Sequence, residues 1–483
     1  MVTDTGREIL LTGATGFVGK VVLEALLRRR EELGISCVHV LIRPGADASA
    51  RERFAAEVEH SPCLARLPAG WTTCIDVVEG DLTQPGCGLA PQVHERLAEQ
   101  LTHVLHVAAS IDFDLPVAEA EVINVGGSLN VLDLAHTARR LERMVSVSTA
   151  YVTPHPGNGV LPVYETLVPL PRPAAEIRDS IRERTVDTDD LLRETGHPNT
   201  YTLTKCLAEH LLVEGRGDVP LSVVRPSIVS ASWREPFPGW IDSTAAFGAF
   251  VALVATGHLR AVVARPKSRI DLVPVDVVAR RIIDAAFDTA APRDGVPIFF
   301  AVGGLAQNPT IEQCREWLVD FFRRHPIDRR PYVPYLGPPG LLFRLSDRIH
   351  HDLRVRVAAL FSRRARRSAT KLLERLRYLN HAFPYFTQNT FDFRSKVVKP
   401  AVHPPREYVE MVCRGIYRHL SKRKRPALPD ADPGHGSDSG LAADGESTVA
   451  VDAAPAVSAS SGTPSLDGQR CRSGRHSSTR CTC

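Results

Sequence analysis

Three glycines at three-residue spacing, Gly13, Gly16 and Gly19, lie in Ile9-Leu10-Leu11-Thr12-Gly13-Ala14-Thr15-Gly16-Phe17-Val18-Gly19-Lys20, between an apolar strand-like run and the opening of a helix. This junction constrains the fold more than any other feature of the chain. In such a unit the first glycine permits the tight turn. The second lets backbone approach a dinucleotide pyrophosphate, and the third lets the helix pack closely on its strand, so that phosphates meet the positive helix N-terminus. A glycine trio alone is a weak signal; its place in the first strand–helix unit makes it specific. Thr12, Gly13, Thr15, Gly16, Phe17, Val18 and Gly19 are therefore expected to surround the phosphates of a dinucleotide.

The rest of the first three hundred residues keeps the same rhythm. Short apolar runs at Val38–Ile42, Ile75–Val78, Val104–Val107, Met144–Val147 and Leu221–Val224 alternate with amphipathic segments such as Val21–Arg30 and Leu129–Arg140. Strands that are apolar throughout read as buried on both faces, which is the pattern of a parallel sheet with helices on both sides. The expected class is α/β, a Rossmann-type doubly wound sheet over residues 1–309. A smaller, mainly helical domain is expected over 310–424 and a disordered tail over 425–483. The tail is rich in Ala, Gly, Ser, Asp and Pro, with too few large apolar residues to offset the entropy of ordering.

Charge and cysteine content narrow the function. A formal net charge of +4 over 483 residues argues against a nucleic-acid binder. Ten cysteines without CxxC pairs in the body of the chain fit a reducing compartment and no metal site. The chain enters its first strand within ten residues of Met1, leaving no room for a signal peptide, and no run of about 18 apolar residues occurs. A cytoplasmic protein is expected.

The second strand ends in Val40-Leu41-Ile42-Arg43-Pro44. An acidic residue at this point would hold a ribose 2′-hydroxyl, whereas the Arg43 guanidinium suits a 2′-phosphate and so points to NADPH. Asp81, in Gly80-Asp81-Leu82 after the third apolar run, is placed to accept from an adenine amine, with Leu82 beside it; an ordinary turn role for Asp81 is nearly as good a reading. Tyr201 and Lys205 form a YxxxK pair on one helix face, roughly opposite a stripe of Leu203, Leu207 and Leu211. A tyrosine of pKa about 10 holds its proton firmly. A nearby ammonium is expected to lower that value and to bind the nicotinamide ribose. Thr149, with Ser148 as the near alternative, ends an apolar strand in hydroxyls and would hold a substrate carbonyl. Tyr151 lies nearby but has no lysine four residues on.

Taken together, these residues resemble the extended short-chain dehydrogenase/reductase superfamily and, more closely, the fatty acyl-CoA reductases, also called the male-sterility family. The resemblance rests on TGATGFVGK (Thr12–Lys20), VLIRP (Val40–Pro44), HVAASIDFD (His106–Asp114), INVGGSLNVLDLA (Ile123–Ala135), VSTAYV (Val147–Val152), NTYTLTK (Asn199–Lys205), VRPSIV (Val224–Val229), PFPGWIDS (Pro236–Ser243) and IDLVPVDVVA (Ile270–Ala279), in the family's order. It implies NADPH-dependent reduction of a fatty acyl thioester to an aldehyde, or further to a primary alcohol. It also implies that Ala108, Ala109 and Ser110 face the nicotinamide, that Asn124 braces the active-site strand, and that Pro226, Ser227, Ile228 and Val229 line the carboxamide. The same scaffold serves carrier-protein thioester reductases and nucleotide-sugar epimerases or dehydratases, which stay open as alternatives.

A last feature stands outside these motifs. Arg354, Arg356, Arg363, Arg364, Arg366, Arg367, Lys371, Arg375 and Arg377 are interleaved with Leu360, Phe361, Leu372, Leu373 and Leu376. Such a stretch suits CoA phosphates, an acyl carrier protein or peripheral contact with an anionic membrane, and equally a solvated helix face.

Overall fold

The computed structural model describes residues 6–157, 159–243, 246–288, 295–349, 363–395 and 403–420. The tail from Arg425, together with Arg354 and Arg356, lies outside the described residues. Thirteen strands are named here in chain order: β1 Arg7–Thr12, β2 Ile35–Ile42, β3 Ile75–Glu79, β4 His103–His106, β5 Arg143–Val147, β6 Val160–Tyr164, β7 Leu221–Pro226, β8 Ile228–Ser230, β9 Ala261–Val263, β10 Leu272–Pro274, β11 Ile298–Ala301, β12 Tyr335–Gly337 and β13 Thr390–Arg394. The helices that matter below are α1 Phe17–Arg28, α2 Gly127–Thr137, α3 Thr200–Gly215, α4 Ala246–Ala255, α5 Val275–Phe287, α6 Ile311–Arg324, α7 Leu341–Asp347, α8 Arg363–Ala382 and α9 Pro405–Gly415.

Seven strands form one parallel sheet in the order β11-β7-β5-β4-β1-β2-β3. The apolar runs became its strands because each can be covered twice. Along β1, Ile9 and Leu11 enter one core with α1 and α5, while Leu10 enters another with α2 and the end of α3; all three are fully buried. Each such side chain contributes about 1.5–3 kcal/mol of hydrophobic stabilisation, so a one-residue slip of register would cost several of them at once. Strand order reverses between β1 and β4, which opens a crevice beyond their C-terminal ends.

The region after residue 310 contributes α6, α8 and α9 and also two short strands. β13 pairs in parallel with β6, and β12 with β9. A third core beyond the sheet joins α4, α6 and α9 to Tyr151, Phe386, Phe391 and Phe393. Among the described residues no helix is long and apolar enough to cross a membrane.

A candidate active site at the strand ends

The glycine turn is built as its spacing suggests. Gly13 has φ +76°, and a Cβ there would lie 2.7 Å from the Ala108 nitrogen, so β1 and the end of β4 approach closely only through glycine. A Cβ on Gly19 would collide with the Gly13 carbonyl. A Cβ on Gly16 would press on the Gly13 carbonyl oxygen at 3.3 Å, and Gly16 itself lines the cavity. Gly16 is the N-cap of α1 and offers no side-chain cap, and no acidic residue occupies the first turn. The first backbone N–H groups of α1 therefore remain available to an anion.

Thr12 differs from the expectation that it faces the cofactor. It is fully buried behind the turn; its Oγ1 accepts from the nitrogens of Val107 and Ala108, both at 3.2 Å, and lies 3.0 Å from His106 Nδ1. It ties the ends of β1 and β4 together beneath the crevice. Gly13, Thr15, Gly16, Phe17, Val18 and Gly19 line a cavity of about 1900 Å³. Arg43, Asp81, Leu82, Ala108, Ala109 and Ser110 line the same cavity, as do Pro226, Ser227, Ile228 and Val229. Single ligand pockets commonly measure about 300–1,000 Å³, so this volume is large enough for more than one ligand.

Arg43 stands exposed at the rim, and no carboxylate pairs with its guanidinium among the described residues. Its carbonyl oxygen accepts from Arg53 at 2.5 Å. Arg53 also lines the cavity, held by Glu57 at 2.8 Å, and is a cation that no sequence motif signalled. Asp81 Oδ1 accepts from the nitrogen (3.0 Å) and hydroxyl (2.8 Å) of Thr83, a turn-forming role that leaves the residue on the cavity wall. Asn124 does not brace a strand. Its Oδ1 accepts from Ser110 N at 2.8 Å, and its Nδ2 donates to Ser110 O and to Thr204 Oγ1, each at 3.1 Å, so it links the loop after β4 to α3. Ser227 donates to buried Asp271 at 2.5 Å, and Asp271 also accepts from Gly303 N, Gly304 N and Asn308.

α3 carries the pair Tyr201 and Lys205 into the cavity. Asn199 caps it by accepting from Thr202 N at 2.9 Å, a contact whose loss costs about 1 kcal/mol in comparable helices. Leu203 and Leu207 are fully buried on the opposite side, and Glu209 forms a bidentate pair with Arg225 on β7, the Nε–Oε1 arm at 2.9 Å. Arg225 is wholly buried, so this charge-assisted pair fixes the helix on the sheet.

At the cavity head the Tyr201 hydroxyl is hydrogen-bonded to Thr149. Thr149 Oγ1 also accepts from Tyr151 N at 3.3 Å, so it both caps a short turn and meets the tyrosine. Ser148 Oγ is buried with no hydrogen-bond partner and borders the same cavity. The Lys205 ammonium donates to the Val147 carbonyl oxygen at 2.8 Å.

The electrostatics depart from the sequence expectation. Burial pushes Tyr201 up to about 12, opposed only by its hydrogen bond with Thr149; Lys205 does not bring it down. Burial likewise pushes Lys205 down to about 8, with the Glu209 charge working the other way. The physical reason is that enclosure takes both groups out of water, which disfavours the charged form of each. His106 sits between Thr12 and Ser128, and burial followed by the Lys205 charge holds it near 3, so it is neutral at physiological pH.

Beyond Tyr201 the cavity turns apolar. Phe113 packs against Tyr201 with ring centroids 5.7 Å apart and also meets Phe383 and Phe386. Ala249, Ala252 and Leu253 of α4 and Tyr378 and Leu379 of α8 continue this wall, and Thr256, Asp328, Glu374 and Arg375 are polar members of the same lining. Sequence reasoning missed this wall, because its members come from segments hundreds of residues apart with no shared motif. Tyr151 is buried among Phe386, Phe391 and Phe393 in edge-on contacts, with its hydroxyl proton held more tightly by burial.

Comparison with known proteins agrees with this architecture. The profile of the male sterility protein family matches residues 11–282. Fatty acyl-CoA reductase 1 of Gallus gallus is 31% identical over 463 residues, covering 88% of this chain and 87% of that protein. The Homo sapiens protein of the same name is 29% identical over 459 residues with the same coverage. Among solved structures, the terminal R domain of the myxalamid PKS-NRPS pathway superposes with TM-score 0.60 at 21% identity, covering 88% of this chain and 94% of that one. The reductase domain of a nonribosomal peptide synthetase from Mycobacterium tuberculosis superposes with TM-score 0.56 at 19% identity, covering 85% and 91%. These two likenesses concern the fold.

Proposed function

The chain belongs to the male sterility family, and from that premise we propose that it reduces long-chain fatty acyl-CoA to the fatty aldehyde, or further to the primary alcohol, with NADPH as reductant. The observation that carries this reading is the continuity of one cavity. It holds an anion-ready helix N-terminus at one end, a Tyr201–Thr149 hydroxyl pair at its head, and an apolar, aromatic wall beyond them. A dinucleotide fits the uncapped turn, and a long acyl chain fits the apolar arm.

A bound nicotinamide supplies the hydride for the acyl carbon. The residues of the chain do the rest. Thr149 and Tyr201 present two hydroxyls to the thioester carbonyl oxygen and donate to it as negative charge develops. Tyr201, held protonated by its raised pKa, passes its proton to that oxygen. Lys205, still largely protonated at neutral pH, keeps a positive charge one helical turn away and is placed to bind the ribose. The resulting hemithioacetal expels the thiol and leaves the aldehyde, which the same groups can hold for a second reduction. Phe113, Phe383 and Phe386 shield the reacting carbon from water.

Incubation of the purified full chain with NADPH and palmitoyl-CoA, with products identified by mass, is expected to give free CoA with hexadecanal or hexadecanol. Oxidation of NADPH without either product would overturn the reading. For the reductant, Arg43→Glu is expected to raise the KM for NADPH about 10- to 100-fold, the scale of a lost charged hydrogen bond, while the KM for NADH changes little. Equal use of both reductants by the unmodified protein would count against the role given to Arg43.

A further inference from the structure

The exposed face of α7 matches no part of the catalytic cavity. Leu341, Leu342, Leu345 and Ile349 are 81%, 71%, 54% and 47% exposed. At about 100° per residue they share one stripe of the helix and its continuation, whereas Phe343 points the other way and meets the Tyr335 ring at 5.8 Å. The helix is thus fixed to the protein through Phe343 and through its packing on β9 and β12, and it presents its leucines outward. Isolated exposed apolar side chains are ordinary; four on one stripe are not.

Charge selects the partner. Arg344 and Arg348 are exposed and flank the stripe at its edge. Between Arg329 and Arg377 the sequence carries thirteen basic and three acidic residues, while the whole chain has a net charge of only +4. An apolar stripe edged by arginine, inside the most basic segment of the chain, suits an anionic bilayer surface, into which leucines insert while guanidinium groups meet headgroup phosphates.

The placement also suits the cavity. β9, which α7 packs against, accepts from the Asn380 side chain of α8 at Ala261 O (3.1 Å) and donates to it from Val263 N (3.0 Å). Tyr378 and Leu379, just before Asn380, line the cavity. We propose that the Leu341–Ile349 face docks the protein on an anionic lipid surface, beside the wall of the cavity that receives an apolar chain. This goes beyond the reaction proposed above and does not depend on it, because binding is read without turnover.

The test is co-sedimentation of the full chain with phosphatidylcholine vesicles with and without phosphatidylglycerol. Binding is expected to need the anionic lipid and to weaken with added salt. The double variant Leu341→Ser, Leu345→Ser, changed only at exposed positions, should lose about tenfold or more in vesicle affinity with its thermal unfolding midpoint unchanged. Two results would overturn the proposal: no sedimentation of the unmodified chain with anionic vesicles, or equal binding by the double variant; the first combined with a raised KM of the variant for an acyl carrier protein thioester would make the partner a protein.

Discussion

Tyr201→Phe is expected to lower turnover of palmitoyl-CoA by roughly 10²–10⁴-fold, the range for loss of a positioned proton donor. The substitution removes one oxygen and leaves the ring in place against Phe113. The hydrogen bond lost with Thr149 is worth about 1 kcal/mol of stability, so the variant should fold and bind NADPH as before, as measured by fluorescence titration. The defect should lie in kcat with little change in KM, because the donated proton matters most in the transition state. Near-normal turnover in this variant would remove Tyr201 from the mechanism.

Lys205→Met should separate activity from stability. In the folded chain burial lowers the Lys205 pKa from 10.5 to about 8. Below pH 8 both folded and unfolded chains hold the proton, and the full cost of a buried ammonium weighs against folding. Between about pH 8 and 10.5 the unfolded chain keeps a proton that the folded chain has released, so this residue makes stability rise with pH across that window. A shift of this size corresponds to about 3 kcal/mol. The methionine variant is expected to lack that rise, which urea unfolding of both proteins at pH 8 and pH 10 would read as a difference of about 2 kcal/mol, the part of the shift that falls between those two values. At pH 7 it should be no less stable than the unmodified chain, because the lost bond to Val147 O partly offsets the relieved burial. Its turnover should nevertheless collapse, and in the unmodified enzyme activity should decline as pH rises past about 8, where Lys205 loses its charge. Parallel pH dependence of stability in the two proteins would show that the ammonium is not burdened as described.

Both experiments bear on a site whose chemistry-bearing residues were legible one by one, while their electrostatics were not. Tyr201 and Lys205 are four apart in one helix, so their shared face follows from helical geometry alone. Their pKa values depend on how much protein encloses them, and that enclosure comes from distant segments around residues 113, 147–151 and 383–386. Thr12 shows the same division. Its place at the end of β1 was readable, but its burial beneath the cleft depends on how β4 approaches through Gly13.

Local pattern by itself determined the parallel sheet, the glycine turn and the catalytic helix, because each depends on spacing within about twenty residues: two-fold alternation into two cores, three-residue glycine spacing, and a leucine stripe opposite a Tyr/Lys face. Tertiary structure alone decided the buried Arg225–Glu209 bolt, the second rim cation Arg53, the aromatic wall and the outward leucines of α7. Those depend on which surfaces remain uncovered once the chain has packed. No local periodicity encodes that outcome, since burial is a property of the whole arrangement and not of any one segment.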